Sequence, residues 1–133
     1  MDIKPDTYIM DPEDVKEKIT DRTRVLAPVH LFGNAGDMRT LREIAEDHDL
    51  VFVNDSCQAH GTLVDGVDIG ALPGLSCFSF YPSKSMTTTE GGLVTTDDEE
   101  LYRMGTLLRA HGADADLDAI VNGVNKVASY YLK

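Results

Sequence analysis

Leu50-Val51-Phe52-Val53 is a continuous apolar run that stops at Asn54-Asp55. Such a run suits a strand covered on both faces, the setting of a parallel sheet. Parallel neighbours cannot be joined by a tight turn, so the chain has to place crossovers, usually helices, between its strands. The periodicity supplies them. Asp11-Pro12-Glu13-Asp14 combines an N-cap acid, proline at the first helical position and acids in the first turn, and Val15 and Ile19 follow on one face. Val25 to Val29 reads as a short buried strand. Beyond the Gly33-Asn34-Ala35-Gly36 turn, Asp37 opens a helix with Met38, Leu41, Ile44 and Ala45 as its apolar stripe. Leu75 to Phe80 and Gly92 to Thr95 read as two more strands. Thr96 and Glu99 read as a capping box before a helix that turns Leu101, Met104, Leu107 and Leu108 inward and ends at Gly112. This order predicts an α/β architecture with a largely parallel sheet.

A length of 133 residues allows one modest core. The 23 acidic and 12 basic residues leave a net charge of −11, which argues against nucleic acid or an anionic membrane as partner, since both need a basic patch. No apolar run approaches the roughly 20 residues of a membrane span, and the N-terminus has no signal-peptide pattern. Cys57 and Cys77 make neither metal-ligand spacing nor a disulfide framework, as expected of a cytoplasmic protein without a metal.

Open α/β sheets bind ligands beyond the carboxyl ends of their strands. Asp55 and Gln58 fall there, as do Ser79, Lys84 and Glu90-Gly91-Gly92. A lysine on such a loop is ordinarily a solvated one. Paired with a carboxylate it has a second reading: Lys84 as the amine that condenses with pyridoxal phosphate, Asp55 as the charge that keeps the ring nitrogen protonated, and Ser79 as a phosphate donor. Spacing alone does not choose between the two.

Longer motifs do. Asn54-Asp55-Ser56-Cys57-Gln58-Ala59-His60-Gly61, then Phe78-Ser79-Phe80-Tyr81-Pro82-Ser83-Lys84, then Thr88-Thr89-Glu90-Gly91-Gly92 closely resemble the DegT/DnrJ/StrS-type sugar aminotransferases. Pro28-Val29-His30-Leu31-Phe32-Gly33 and Leu108-Arg109-Ala110-His111-Gly112 resemble family segments in the same order. The resemblance covers about Asp6 to Asn125. It implies the large domain of a fold-type I, aspartate-aminotransferase-like enzyme, a three-layer α/β/α arrangement with a mostly parallel sheet and pyridoxal 5'-phosphate as cofactor. By the same resemblance Lys84 is the Schiff-base lysine, Asp55 the partner of the pyridinium nitrogen, Gln58 a contact near the ring and Ser79 a phosphate contact. The same resemblance implies that Asn125 reaches a neighbouring subunit's cofactor in a homodimer.

The implied reaction is ping-pong transfer of an amino group from an amino acid, glutamate being expected, to a nucleotide-linked keto sugar, in polysaccharide or cell-surface sugar synthesis. Dehydratase relatives carry histidine in place of the lysine, so Lys84 favours transamination. The family's upstream Gly-Thr turn and ring-stacking aromatic, and its small C-terminal domain, are expected to lie outside these 133 residues, which would form the central part of the large domain. A catalytically inactive remnant or interaction partner, and another fold-type I enzyme, are the alternatives. His30 is expected as a site wall or a structural residue, His48 as a helix-end residue, Cys57 and Cys77 as buried small residues, and Gly91-Gly92 as a tight turn. Roles for His60 and Glu90 stay open.

Overall fold

The computed structural model describes residues 1–110. Two compact units divide the chain, Met1–Asp98 and Glu99–Lys133.

In the first unit, helix α1 (Pro12–Lys18) begins at the expected cap: the Asp11 carboxylate accepts the Glu13 N–H, and Val15 is fully buried. Strand β1 is only Val25–Leu26, shorter than the expected Val25 to Val29. Pro28 explains this, because it has no N–H to give to a ladder. Its carbonyl still accepts the Asp55 N–H at 2.9 Å, and Val29 makes an isolated parallel bridge to Asp55.

Helix α2 (Met38–Asp47) is capped by Asp37, which accepts from the Thr40 N–H at 3.2 Å and from the Thr40 hydroxyl at 2.9 Å. Its four expected apolar residues are all buried. The helix ends at His48 in a Schellman motif: Leu50 N–H donates to the Ala45 carbonyl and Asp49 N–H to that of Glu46. Asp49 takes the left-handed conformation there, at φ 52°. The motif turns the chain straight into strand β2 (Val51–Asp55), which pairs in parallel with β1.

A hairpin of β3 (Leu63–Val64) and β4 (Val67–Asp68) follows. The periodicity gave no warning of it, but the Asp65-Gly66 pair at its tip, with φ of 51° and 83°, is a standard two-residue hairpin signal. Strand β5 (Leu75–Ser79) lies parallel to β2 with Asp55 opposite Cys77, and β6 (Gly92–Thr96) lies antiparallel to β5 with Gly92 opposite Ser79. The sheet order is β1-β2-β5-β6, so three strands are parallel and one edge is reversed.

The core joins Val15 of α1, the apolar stripe of α2, Leu26 and Phe52. Phe52, Asn54 and Ser76 are buried, whereas Val51 is 41% exposed. The Leu50-Val51-Phe52-Val53 run is therefore covered on one face among the described residues, not on both. Continuous apolarity reports that a strand is built for two covers and cannot say that both are present.

Helix α3 (Glu99–Arg109) starts later than the capping box implied. Thr96 ends β6 and its hydroxyl accepts the Asp98 N–H in a local turn. No α3 side chain is fully buried among the described residues. Gly112 lies outside the described residues. Among them, no helix is long and apolar enough to cross a membrane.

Candidate active site

Asp55 is the last residue of β2, and its main chain is held from both sides. Its N–H donates to the Pro28 carbonyl and its carbonyl accepts the His30 N–H at 3.0 Å, while the next N–H, from Ser56, reaches the Cys77 carbonyl of β5 at 2.8 Å. One carboxylate oxygen accepts the Cys57 N–H at 3.1 Å. That turn presents Gln58, whose side-chain oxygen accepts the Phe32 N–H at 3.2 Å.

A cavity of about 440 Å³ opens here, lined by Phe32, Gln58, Ser83, Lys84 and Ser85. The loop carrying the lysine folds back on its own strand: Tyr81 N–H donates to the Ser79 hydroxyl at 3.3 Å and Lys84 N–H to the Tyr81 carbonyl at 2.9 Å. Between Tyr81 and Glu90 every residue except Lys84 is exposed; Lys84 is partly buried against the cavity. Partial burial against the cavity sets it apart from its exposed loop neighbours.

Charge couples the two loops. Burial pushes the Cys57 thiol up to about 11, the Asp55 carboxylate adds to the rise as hydrogen-bond acceptor and as negative charge, and the Lys84 ammonium opposes it. Burial, followed by the Asp55 charge, also raises the Cys77 thiol. Both cysteines are partly buried, and Cys57 stands in the field of Asp55 and Lys84 at once.

Asp55, Gln58 and Lys84 are thus brought to one end of the sheet, Gln58 and Lys84 on the cavity lining and Asp55 beside it, not on it. Ser79 ends β5, half-buried, next to that loop but not on the cavity lining. Asn125 and His111 lie outside the described residues. His60 goes elsewhere: its ring packs on Phe78 and Phe80 at 5.4 and 5.7 Å, in a separate apolar cavity of about 340 Å³. Side chains alternate along a strand, so Phe78 and Phe80 point away from the Ser79 face and His60 goes with them. Gly91 sits at φ 141°, in keeping with the turn expected there. Phe32, Ser83 and Ser85 were missed as lining residues; a bulky Phe beside Gly33 in a loop was the available signal for the first.

The donor set fits pyridoxal phosphate. A partly buried amine lines the cavity, and among the described residues Asp55 has no ion-pair partner, which leaves its charge available to a cationic ring nitrogen.

The model of the DegT/DnrJ/EryC1/StrS aminotransferase family matches residues 1–128. The chain is 43% identical over 117 residues to the dTDP-3-amino-3,4,6-trideoxy-alpha-D-glucose transaminase of Streptomyces venezuelae, covering 87% of this chain and 31% of the relative. It is 45% identical over 111 residues to the L-glutamine:2-deoxy-scyllo-inosose aminotransferase of Streptomyces fradiae, covering 84% of this chain and 26% of the relative. Among solved structures, NtdA from Bacillus subtilis with bound PMP cofactor superposes with a TM-score of 0.78 at 34% identity, over 86% of this chain and 26% of that one. The chain therefore spans less than a third of the length of each of these proteins. The likeness extends to the fold: the mostly parallel sheet with its helices is part of a fold-type I domain.

Proposed function

Since the chain belongs to the DegT/DnrJ/EryC1/StrS aminotransferase family, we propose that it forms the central part of the cofactor-holding large domain of a pyridoxal 5'-phosphate aminotransferase. Its acceptor is a ketone on a six-membered polyol ring, a nucleotide-linked keto sugar in particular, and its donor is an amino acid, with glutamate expected. The setting is cytoplasmic synthesis of amino sugars for polysaccharide or cell-surface use.

The observation that carries this reading is the partial burial of Lys84 on a cavity lining shared with Gln58, in electrostatic reach of the Cys57 turn that starts at Asp55. When bound, the cofactor supplies an electron sink for the carbon that loses its proton. Lys84 Nζ takes up that proton and returns it, as a general base and then a general acid. The Asp55 carboxylate keeps a cationic partner charged, because an opposite charge beside a ring nitrogen raises its pKa. Gln58 holds the Phe32 loop as one wall. The Ser79 hydroxyl donates to the phosphate, a charge-assisted bond worth about 1.5–3 kcal/mol. Asn125 is assigned to contact the cofactor of a second subunit in a homodimer.

The two Streptomyces relatives support the acceptor class: one is a transaminase of a dTDP-linked sugar and the other an aminotransferase of 2-deoxy-scyllo-inosose. The second is named for L-glutamine as donor, so an α-amino acid is the common element.

Titrating the purified chain with pyridoxal phosphate tests the reading. The expected result is a saturable change in the cofactor's near-ultraviolet absorbance that Lys84→Ala removes and Lys16→Ala leaves. No change at millimolar cofactor would overturn cofactor chemistry by this chain by itself while leaving its family unchanged, and a change that survives Lys84→Ala would overturn the role of Lys84.

A further inference from the structure

We propose that His30 is a positioning residue for Asp55: as the neutral tautomer with its proton on Nε2, it completes a one-way hydrogen-bond chain through Asn54 and Ser76 that fixes the carboxyl end of β2.

The direction of the chain follows from its far end. The Ser76 hydroxyl lies 2.8 Å from the Ile69 carbonyl, and Asn54 Nδ2 lies 3.3 Å from the Leu75 carbonyl and 3.1 Å from Ser76 Oγ. Carbonyl oxygens only accept, so the single hydroxyl proton of Ser76 goes to Ile69 and the nitrogen of the Asn54 amide must face Leu75 and Ser76. Asn54 Oδ1 is then left facing His30 Nε2 at 3.1 Å. An amide oxygen cannot donate. His30 must therefore carry its proton on Nε2, while the buried Nδ1 makes no hydrogen bond of good geometry although the Ala35 main chain lies near the ring. Two carbonyls, that of Ile69 in the short 3-10 turn before β5 and that of Leu75 in β5, thus set the ring orientation.

All three side chains are fully buried, at 0% exposure. A broken link would leave a buried amide or hydroxyl unsatisfied, which costs more than the bond itself contributes. The chain acts where Asp55 is anchored. His30 grips β2 twice, through its main-chain N–H on the Asp55 carbonyl and through its ring on the side chain of the preceding residue, Asn54. Because the side chains of Asn54 and Asp55 alternate across the sheet, locking Asn54 below sets the angle at which the Asp55 carboxylate emerges above. What Asp55 does there rests on the proposed function; the tautomer and the locking do not.

Three measurements test this. Long-range proton–nitrogen correlation spectra of the ¹⁵N-labelled chain at neutral pH should give the His30 signature of protonated Nε2 and bare Nδ1; the other tautomer, or an imidazolium, overturns the proposal. His30→Leu removes the donor, whereas His30→Gln places an amide N–H near the Nε2 position. In His30→Leu, amide exchange at Asp55 and Ser56 should rise about tenfold while Leu41 in α2 changes little, and His30→Gln should restore it. A rise shared equally by Leu41, or none at Asp55, overturns positioning in favour of a general packing role. If His30→Leu does not fold, the tautomer and the His30→Gln exchange pattern still decide. Finally, the half-saturation concentration for pyridoxal phosphate should rise in His30→Leu and return in His30→Gln. If the unmodified chain fails to bind cofactor, the proposed function falls while the tautomer and exchange results still judge His30.

Discussion

The side-chain oxygen of Gln58 accepts the main-chain N–H of Phe32 at 3.2 Å, and this bond joins the loop after β1 to the loop after β2. Phe32 stands at φ 56°, a left-handed conformation that is strained for a bulky residue. The bond is therefore part of what holds Phe32 on the cavity wall. Gln58→Ala should speed amide exchange at Phe32 by about tenfold and weaken pyridoxal phosphate binding, with little change in overall stability. Unchanged exchange at Phe32 would mean that the loop holds itself.

Cys57 should be a sluggish nucleophile despite being partly exposed. With its pKa raised to about 11 from 9.0, its thiolate population at pH 8 falls about 100-fold. The higher intrinsic nucleophilicity of a more basic thiolate recovers about tenfold of that. Iodoacetamide should label Cys57 about tenfold more slowly than a model thiol, and Asp55→Asn should speed it by removing a hydrogen-bond acceptor and a like charge. Labelling mapped by mass spectrometry reads both.

His30 should make stability depend on pH in a defined window. Burial lowers its pKa below 6.5, against the opposing effects of the Asn54 side chain, the Ala35 main chain and the Asp55 charge. On acidification the unfolded chain binds the proton first, so this contribution is fully present above about pH 6.5 and is lost as pH falls from there through the lowered native value. Asp14 and Asp37, held below the ordinary 3.8 by bonds from Lys18 and from Thr40, lose their contributions only at more acidic pH. Urea midpoints should drop between pH 7.5 and 5.5 in the native chain and stay flatter in His30→Gln.

Two glycines with similar backbone angles should respond differently to alanine. Gly74 stands at φ 100°, and a Cβ there would lie 2.8 Å from the Phe52 carbonyl oxygen of β2. Gly66 stands at φ 83° with nothing within 4 Å of its Cβ position. Gly74→Ala should cost about 2–3 kcal/mol, since strain adds to a clash with sheet backbone, and Gly66→Ala about 1 kcal/mol from strain alone. Denaturant unfolding of the pair separates the terms.

Much of this arrangement was legible in the chain itself. The cap at Asp37 and the stripe Met38, Leu41, Ile44, Ala45 are local features of one helix, and the structure repeats them residue for residue. Asp55 and Lys84 were readable because strand ends and their loops follow from short-range pattern. The shortened β1 turned on a proline whose effect depends on having a neighbour to pair with. The open face beside Val51 was not readable at all, since a strand carries no record of what covers it.

By itself, then, the sequence determined the order of the main strands and helices, the caps at Asp11 and Asp37, and the placing of Asp55, Gln58 and Lys84 beyond β2 and β5, because each rests on groups a few positions apart. Only tertiary structure decided which face each side chain serves. His60, five residues after Asp55, ends between Phe78 and Phe80, while His30, 24 residues before Asn54, becomes its buried partner. Sheet pairing makes that choice, since parallel register brings distant residues within hydrogen-bond reach and strand alternation sends near ones apart.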